Sequence, residues 1–111
     1  MQFETKKNGK AVVLRLKEKR LDASIAPELK GEFLILCTAQ TKELVVDLTD
    51  VEFCDSSGLS ALLIAERKMR EHGGVVKLAG MHKKVLSLIK ISHLDRSFRM
   101  FDSVPKALAK A

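Results

Sequence analysis

Short strand-like runs alternate along this chain with longer stretches of helical periodicity, and this alternation constrains the fold more than any other feature. Residues 43–48 hold the run Leu44-Val45-Val46, which is typical of a central strand. Residues 59–69 carry apolar side chains at helical spacing, and Gly73-Gly74 ends that helix before a strand at residues 75–79. Such alternation predicts a largely parallel central sheet with helices packed on it.

The rest of the chain adds a hairpin at the start and further helices between the later strands. Asn8-Gly9 is a favoured hairpin turn because both residues tolerate positive φ, so residues 3–6 and 11–16 are predicted to pair antiparallel. Ser24 is expected to cap the first helix, with Pro27 in its first turn. The predicted order is ββαβαβαβα, an α/β fold with a mixed central sheet. The later elements are a helix at 85–89, a short strand at 98–101 and a helix that starts at 102–103.

Length and cysteine content limit the class of protein. The 111 residues predict a single domain over residues 1–111, which is large enough for a core without disulfides or metals. No apolar run approaches the roughly 20 residues that cross a bilayer, and no signal peptide is visible, so membrane insertion is not expected. Cys37 and Cys54 form neither a zinc pattern nor a disulfide framework. Two unpaired thiols suit a reducing cytoplasm, which is the predicted location.

The net charge of +6 permits nucleic-acid binding but does not predict it. The basic residues are spread along the chain, and the two densest groups, at residues 17–20 and 67–70, are broken by other residues. The chain has no Trp or Tyr, and its five Phe do not interleave with the basic residues. Few aromatic side chains are therefore available to stack on the bases of single-stranded nucleic acid, and no direct contact with nucleic acid is expected.

The run Phe53-Cys54-Asp55-Ser56-Ser57-Gly58-Leu59 stands where a strand is predicted to stop and a helix to start. Backbone N–H groups at a helix N-terminus favour anions, so a serine placed there can carry a phosphate that the helix partly stabilises. The alternative is that Asp55 or a serine only caps the helix. Ser57 and Ser60 are competing phosphate acceptors at the same junction.

Catalytic motifs are missing from the sequence. The Asp-Ser-Ser-Gly run lacks the glycine two residues before a nucleophilic serine that an esterase elbow requires. No phosphate-binding Gly-x-x-x-x-Gly-Lys motif is present, and no early acidic pair could build the magnesium pocket of a receiver domain around Asp47 or Asp55. We therefore expect no catalytic residues, no metal site and no cofactor.

The junction resembles the signature of the STAS domain family. The matching residues are Val45-Val46-Asp47-Leu48, then Val51, then residues 53–59. Leu21-Asp22 falls where the family has a Gly-Glu-Leu-Asp segment, and Gly73-Gly74 matches its double glycine. Phe101-Asp102 before a final alanine-rich helix also fits, so the match extends over the whole chain. The chain looks most like the stand-alone anti-sigma factor antagonists of bacterial partner-switching systems.

The resemblance implies a STAS fold and a phosphorylation switch. In this family, the unphosphorylated antagonist binds an anti-sigma factor that is also a serine kinase, and binding releases the sigma factor. The kinase then phosphorylates the serine after the aspartate, here Ser56, and a serine phosphatase resets the protein. The residues implied to face the partner are Asp22, Asp55, Ser56, Ser57 and Gly58.

The chain departs from the family pattern at two places. Lys19-Arg20 replace the family's Gly-Glu before Leu21-Asp22, and this is expected to change the partner contact and its charge preference. Cys54 stands where Met or another apolar residue is common and is predicted to be structural, because free cysteine is usually buried. STAS domains also serve as accessory subunits of membrane lipid transporters, and this role is the alternative.

Overall fold

The structure is a computed structural model that describes residues 1–109. The predicted domain runs to residue 111, so its last two residues lie outside the described part. Seven strands and four helices follow one another within residues 1–109 in an order close to the predicted one. They are β1 (Phe3–Asn8), β2 (Ala11–Leu16), β3 (Arg20–Leu21), α1 (Ala26–Leu36), β4 (Glu43–Asp47), β5 (Phe53–Cys54), α2 (Ser56–Glu71), β6 (Val75–Ala79), α3 (Lys83–Ile91), β7 (Arg99–Phe101) and α4 (Val104–Ala109).

The central sheet is mixed, as predicted. Its strand order is β1-β2-β4-β6-β7, and only the β1–β2 hairpin is antiparallel. A second sheet, which the sequence did not predict, consists of β3 and β5 paired in parallel. Each of these strands has two residues, too few to show the alternation that identifies a strand in a sequence.

Helices cover both faces of the sheet. Because successive strand residues point to opposite faces, Leu44 and Val46 of β4 pack in the main core, with side chains from α1, α2 and α3. Val45 faces the other way and packs with Ala107 of α4. Burial on both faces explains why β4 reads as one continuous apolar run.

A buried lysine holds α4 against the sheet. Lys77 of β6 is fully buried, and its Nζ donates a hydrogen bond to the main-chain oxygen of Ala107 at 2.8 Å. The same ammonium group forms an ion pair with Glu43 and lies 5.5 Å from the ring centre of Phe101. Burying a charge is tolerated when it is paired and hydrogen-bonded, so the contacts of Lys77 offset its desolvation.

The start of α1 differs from the prediction. Ser24 does not cap the helix, which begins at Ala26 after Ile25 and has no side-chain cap. The backbone N–H and the hydroxyl of Ser24 instead donate to Asp22 Oδ1, at 3.0 and 2.5 Å. A short polar side chain competes in this way for local hydrogen bonds, and here the turn at Asp22 wins. Pro27 does lie in the first turn, as predicted.

Within residues 1–109, no helix combines the length and the apolar character needed to cross a bilayer. The longest helix, α2, has 16 residues and carries charged side chains over its second half.

Candidate functional site

The short β3–β5 ladder brings two distant segments of the chain together. Leu21 pairs with Cys54, and the backbone N–H of Asp55 donates to the main-chain oxygen of Leu21 at 3.2 Å. Asp22 and Asp55 are the next residues of two parallel strands, so both lie at the same end of this ladder. The structure therefore places Asp22 at the end of the ladder from which the chain runs into α2.

Gly58 allows this close approach. A Cβ atom at Gly58 would lie 2.5 Å from the main-chain oxygen of Leu21, 2.7 Å from Leu21 Cγ and 2.8 Å from Cys54 Sγ. Real Cβ atoms do not tolerate such distances, so only glycine fits without moving β3. Gly58 itself is buried. Its role in the fold is to let α2 pack against β3, and it offers a partner little surface of its own.

Asp55 caps α2. It adopts an extended backbone conformation, and its Oδ1 accepts hydrogen bonds from the backbone N–H groups of Ser57 at 2.9 Å and Gly58 at 3.1 Å. This satisfies two of the N–H groups that a helix start leaves without intrahelical partners. Of the two caps that the sequence left open, Asp55 is the one that forms, and Ser57 is half-buried in the first turn.

Ser56 is the first residue of α2 and is exposed. Its hydroxyl is available to a modifying enzyme because neither the cap nor the core uses it. Ser60 is also exposed, one turn further along the same helix. Exposure alone does not separate these two serines, whereas Ser56 adjoins Asp55 and the end of the ladder that carries Asp22.

Replacing Asp55 with alanine should lower the free energy of unfolding by about 1 kcal/mol, because the Ser57 and Gly58 N–H groups lose their acceptor. Asp55→Asn keeps a side-chain oxygen at this position and should lower the free energy of unfolding by only about a few tenths of a kcal/mol. Urea denaturation of both variants measures the difference. Equal losses in the two variants would contradict the cap.

Arg20 sets the charge beside Asp22. Its Nε donates to Asp22 Oδ2 at 3.2 Å, and its guanidinium lies 4.2 Å from the ring centre of Phe53. Hydrogen bonds from Ser24, followed by the bond and charge of Arg20, hold the pKa of the Asp22 carboxyl below its usual value. Asp22 is therefore a carboxylate at neutral pH. The departure at Lys19-Arg20 thus places a cation on the surface between Asp22 and Phe53.

Both cysteines are buried. Burial raises the pKa of the Cys37 thiol to about 11. Burial and the neighbouring charge of Asp55 raise the pKa of the Cys54 thiol to about 12. Since the thiolate is the reactive form, both side chains are protonated and unreactive at neutral pH. This agrees with the structural role predicted for Cys54.

Neither thiol should react rapidly with N-ethylmaleimide in the native protein at neutral pH, because burial raises both thiol pKa values and leaves a negligible thiolate fraction. Both should react after unfolding in urea. Mass spectrometry of the labelled protein counts the adducts in each state. Rapid labelling of native Cys54 would show an exposed thiol and would contradict the structural role.

Histidines and acidic residues elsewhere do not join this site. His82 contacts the main-chain oxygen of Thr49 at 2.6 Å, and His72 follows the end of α2. Over residues 1–109, no group of three or more His, Cys, Asp and Glu side chains is arranged to hold a metal ion. Sequence reasoning missed β3, which joins the two halves of the site, because nothing in the pattern of Arg20-Leu21 marks a strand.

Comparisons with known proteins agree with this architecture. A family model described as the STAS domain matches residues 2–107. The chain is 28% identical over 75 residues to the anti-sigma-B factor antagonist of Listeria monocytogenes. The aligned residues make up 68% of this chain and 66% of that relative, so this chain spans less than two thirds of the relative's length. An anti-sigma-factor antagonist (STAS) domain protein from Planctomyces limnophilus has a TM-score of 0.89 at 21% identity, over 96% of this chain and 95% of that one.

A third similarity concerns a protein whose phosphorylated form has been solved. The Bacillus cell fate determinant SpoIIAA in its phosphorylated form has a TM-score of 0.76 at 18% identity, over 98% of each chain. At these identities, the solved structures establish the shared fold alone. The family model covers nearly the whole sequence. The chain belongs to the STAS domain family.

Proposed function

We propose that this protein is an anti-sigma factor antagonist whose partner binding is switched off by phosphorylation of Ser56. In the unphosphorylated state it binds an anti-sigma factor serine kinase in the cytoplasm, and this binding releases a sigma factor. The kinase phosphorylates Ser56, and a serine phosphatase restores the binding state. The chain is a substrate in this cycle and performs no catalysis.

The proposal depends mainly on the position of Asp22 relative to Ser56. The β3–β5 ladder sets Asp22 beside the capped start of α2, where Ser56 is exposed. The Listeria relative named as an anti-sigma-B factor antagonist supports the same role. The solved phosphorylated form of SpoIIAA, which shares the fold, supports phosphorylation as the control.

The chemistry of the site explains how phosphate would act. A phosphoserine adds roughly −1.5 to −2 charge units next to the carboxylates of Asp55 and Asp22. The Oδ1 atom of Asp55 already accepts from the N–H groups of Ser57 and Gly58. A phosphate on Ser56 therefore meets a helix start that is partly occupied by a carboxylate. It concentrates negative charge on the partner-facing surface while the fold stays in place.

The direct test is to mix the purified protein with its cognate kinase and ATP and to map the modified residue by mass spectrometry. The proposal expects one phosphate, on Ser56, and none in a Ser56→Ala variant. Phosphate on Ser57 or Ser60 would contradict it. Co-purification with the ATPase subunits of a lipid transporter, rather than with a kinase, would support the accessory-subunit role instead.

A further inference from the structure

A groove of about 420 Å³ lies between β5 and α3, next to the start of α2. Its floor is apolar, and we call it the β5–α3 groove. Phe53 and Cys54, which line one wall, directly precede Asp55 and Ser56 in the chain. The other wall is the exposed side of α3, including Lys83, Lys84, Leu88 and Ile91.

Two large apolar side chains remain exposed in this groove. Ile91 is 75% exposed and Phe53 is 39% exposed. Single exposed apolar residues are common, but here two from different elements line one concave surface beside the proposed switch. A concave apolar surface of this kind suits one large apolar side chain of a protein partner, which would become an anchor of the interface.

The rim of the groove is basic. Lys83 and Lys84 stand in the first turn of α3, and Arg20 lies over the ring of Phe53. Among residues 1–109, no acidic side chain lines the groove, and α3 itself contains no acidic residue. Lysines in a first turn are opposed by the helix dipole, which favours acids there. The two lysines therefore do not serve the stability of α3, and their charge is available to a ligand.

We propose that the β5–α3 groove binds an acidic segment of the same partner, in which a large apolar side chain is flanked by carboxylates. The apolar side chain packs between Phe53 and Ile91, and the carboxylates pair with Lys83 and Lys84, the two basic side chains that line the groove. This rests on the proposed function, because the segment belongs to the kinase that modifies Ser56. The groove thus adds a docking contact beside the switch, with the charge preference that Lys19-Arg20 first indicated.

The test measures the affinity of the cognate kinase for four variants. Ile91→Ser should weaken binding about 10-fold by removing the apolar contact. The control Ile35→Ser changes another highly exposed isoleucine, on α1, and should stay within about 2-fold of wild type. The double variant K83E/K84E should weaken binding about 10-fold at low salt and less at high salt. K6E/K7E on β1 is its matched control and should have little effect.

Stability separates a lost contact from a lost fold. Glutamates in the first turn of α3 are favoured by the helix dipole, so K83E/K84E should unfold at the same urea concentration as wild type or higher. Weaker binding by an equally stable variant then reports on the groove itself. Wild-type affinity in both Ile91→Ser and K83E/K84E would overturn the proposal.

The outcomes distinguish this inference from the proposed function. If Ser56→Asp abolishes binding while the groove variants bind normally, the groove proposal fails and the switch stands. If the groove variants bind weakly while Ser56→Asp binds normally, the groove proposal stands and the switch at Ser56 fails. If no kinase binds, a short peptide with two leucines flanked by glutamates is titrated into isotope-labelled protein. Amide shifts confined to the groove, and lost in Ile91→Ser, support the inference, whereas their absence overturns it.

Discussion

Ser56→Asp is expected to weaken binding of the anti-sigma factor kinase by about 30-fold to several-thousand-fold, since a mispaired charge at an interface costs about 2–5 kcal/mol. The new carboxylate would adjoin Asp55 and the end of the ladder that carries Asp22. Oδ1 of Asp55 already accepts from two N–H groups of the first turn. A partner surface fitted to a hydroxyl and the existing carboxylates would face an additional charge that it cannot pair.

The matched control for this variant is Ser60→Asp. Ser60 is exposed on the same helix, one turn away from the cap, so a charge there should change affinity by no more than about 3-fold. Ser56→Asp should also keep its stability, because an acid at the first position of a helix is favoured by the helix dipole. Calorimetric titration with the kinase measures both affinities. Wild-type affinity in Ser56→Asp would contradict the switch.

Gly58→Ala is expected to lower the free energy of unfolding by about 3 kcal/mol, the upper end of the usual cost of overpacking. The added methyl group would lie 2.5 Å from the main-chain oxygen of Leu21 and 2.8 Å from Cys54 Sγ. Neither atom is the flexible end of a long side chain, so β3 or α2 must move. Because β3 carries the chain into Asp22, the same substitution should also weaken kinase binding.

Gly31→Ala provides the opposite case. Gly31 is an exposed helical glycine of α1, and a Cβ there would meet nothing within 4 Å. Alanine should raise the free energy of unfolding by about 0.5–1 kcal/mol through its higher helix propensity. Urea denaturation of the two variants gives both values. Similar shifts of the same sign would contradict the close packing assigned to Gly58.

The local signals in the sequence predicted a capped helix start at this site. Asp55 before a helical stretch indicated a cap, and the structure has that cap. Ser56 was singled out by the resemblance to the STAS family, and it is exposed at the start of the helix. Ser24 misled the prediction, because its hydrogen bonds go to Asp22 and not to the first turn of α1. Side chains of this kind form either a cap or a turn, and only the path of the chain decides between them.

The groove and the buried lysine had no signal in the sequence. Phe53 and Ile91 belong to different elements, and no periodicity links residues so far apart in the chain. Lys77 reads as a polar interruption of the strand Val75–Ala79, yet it is fully buried because Glu43 and the end of α4 supply its partners. Such placements depend on contacts across the sheet, which a local pattern does not record.

The sequence by itself determined the alternation of strands and helices, the mixed sheet, and a polar cap at the start of α2. These features depend on periodicity, turn residues and propensities that act within a few residues of chain. The tertiary structure alone decided how Asp22, with its ion pair to Arg20, comes to the end of the ladder that leads into α2. That outcome required the two-residue ladder of β3 and β5, and it required Gly58 to leave room for Leu21. Close packing between distant segments is a matter of a few tenths of an ångström, and only the folded chain brings those atoms together.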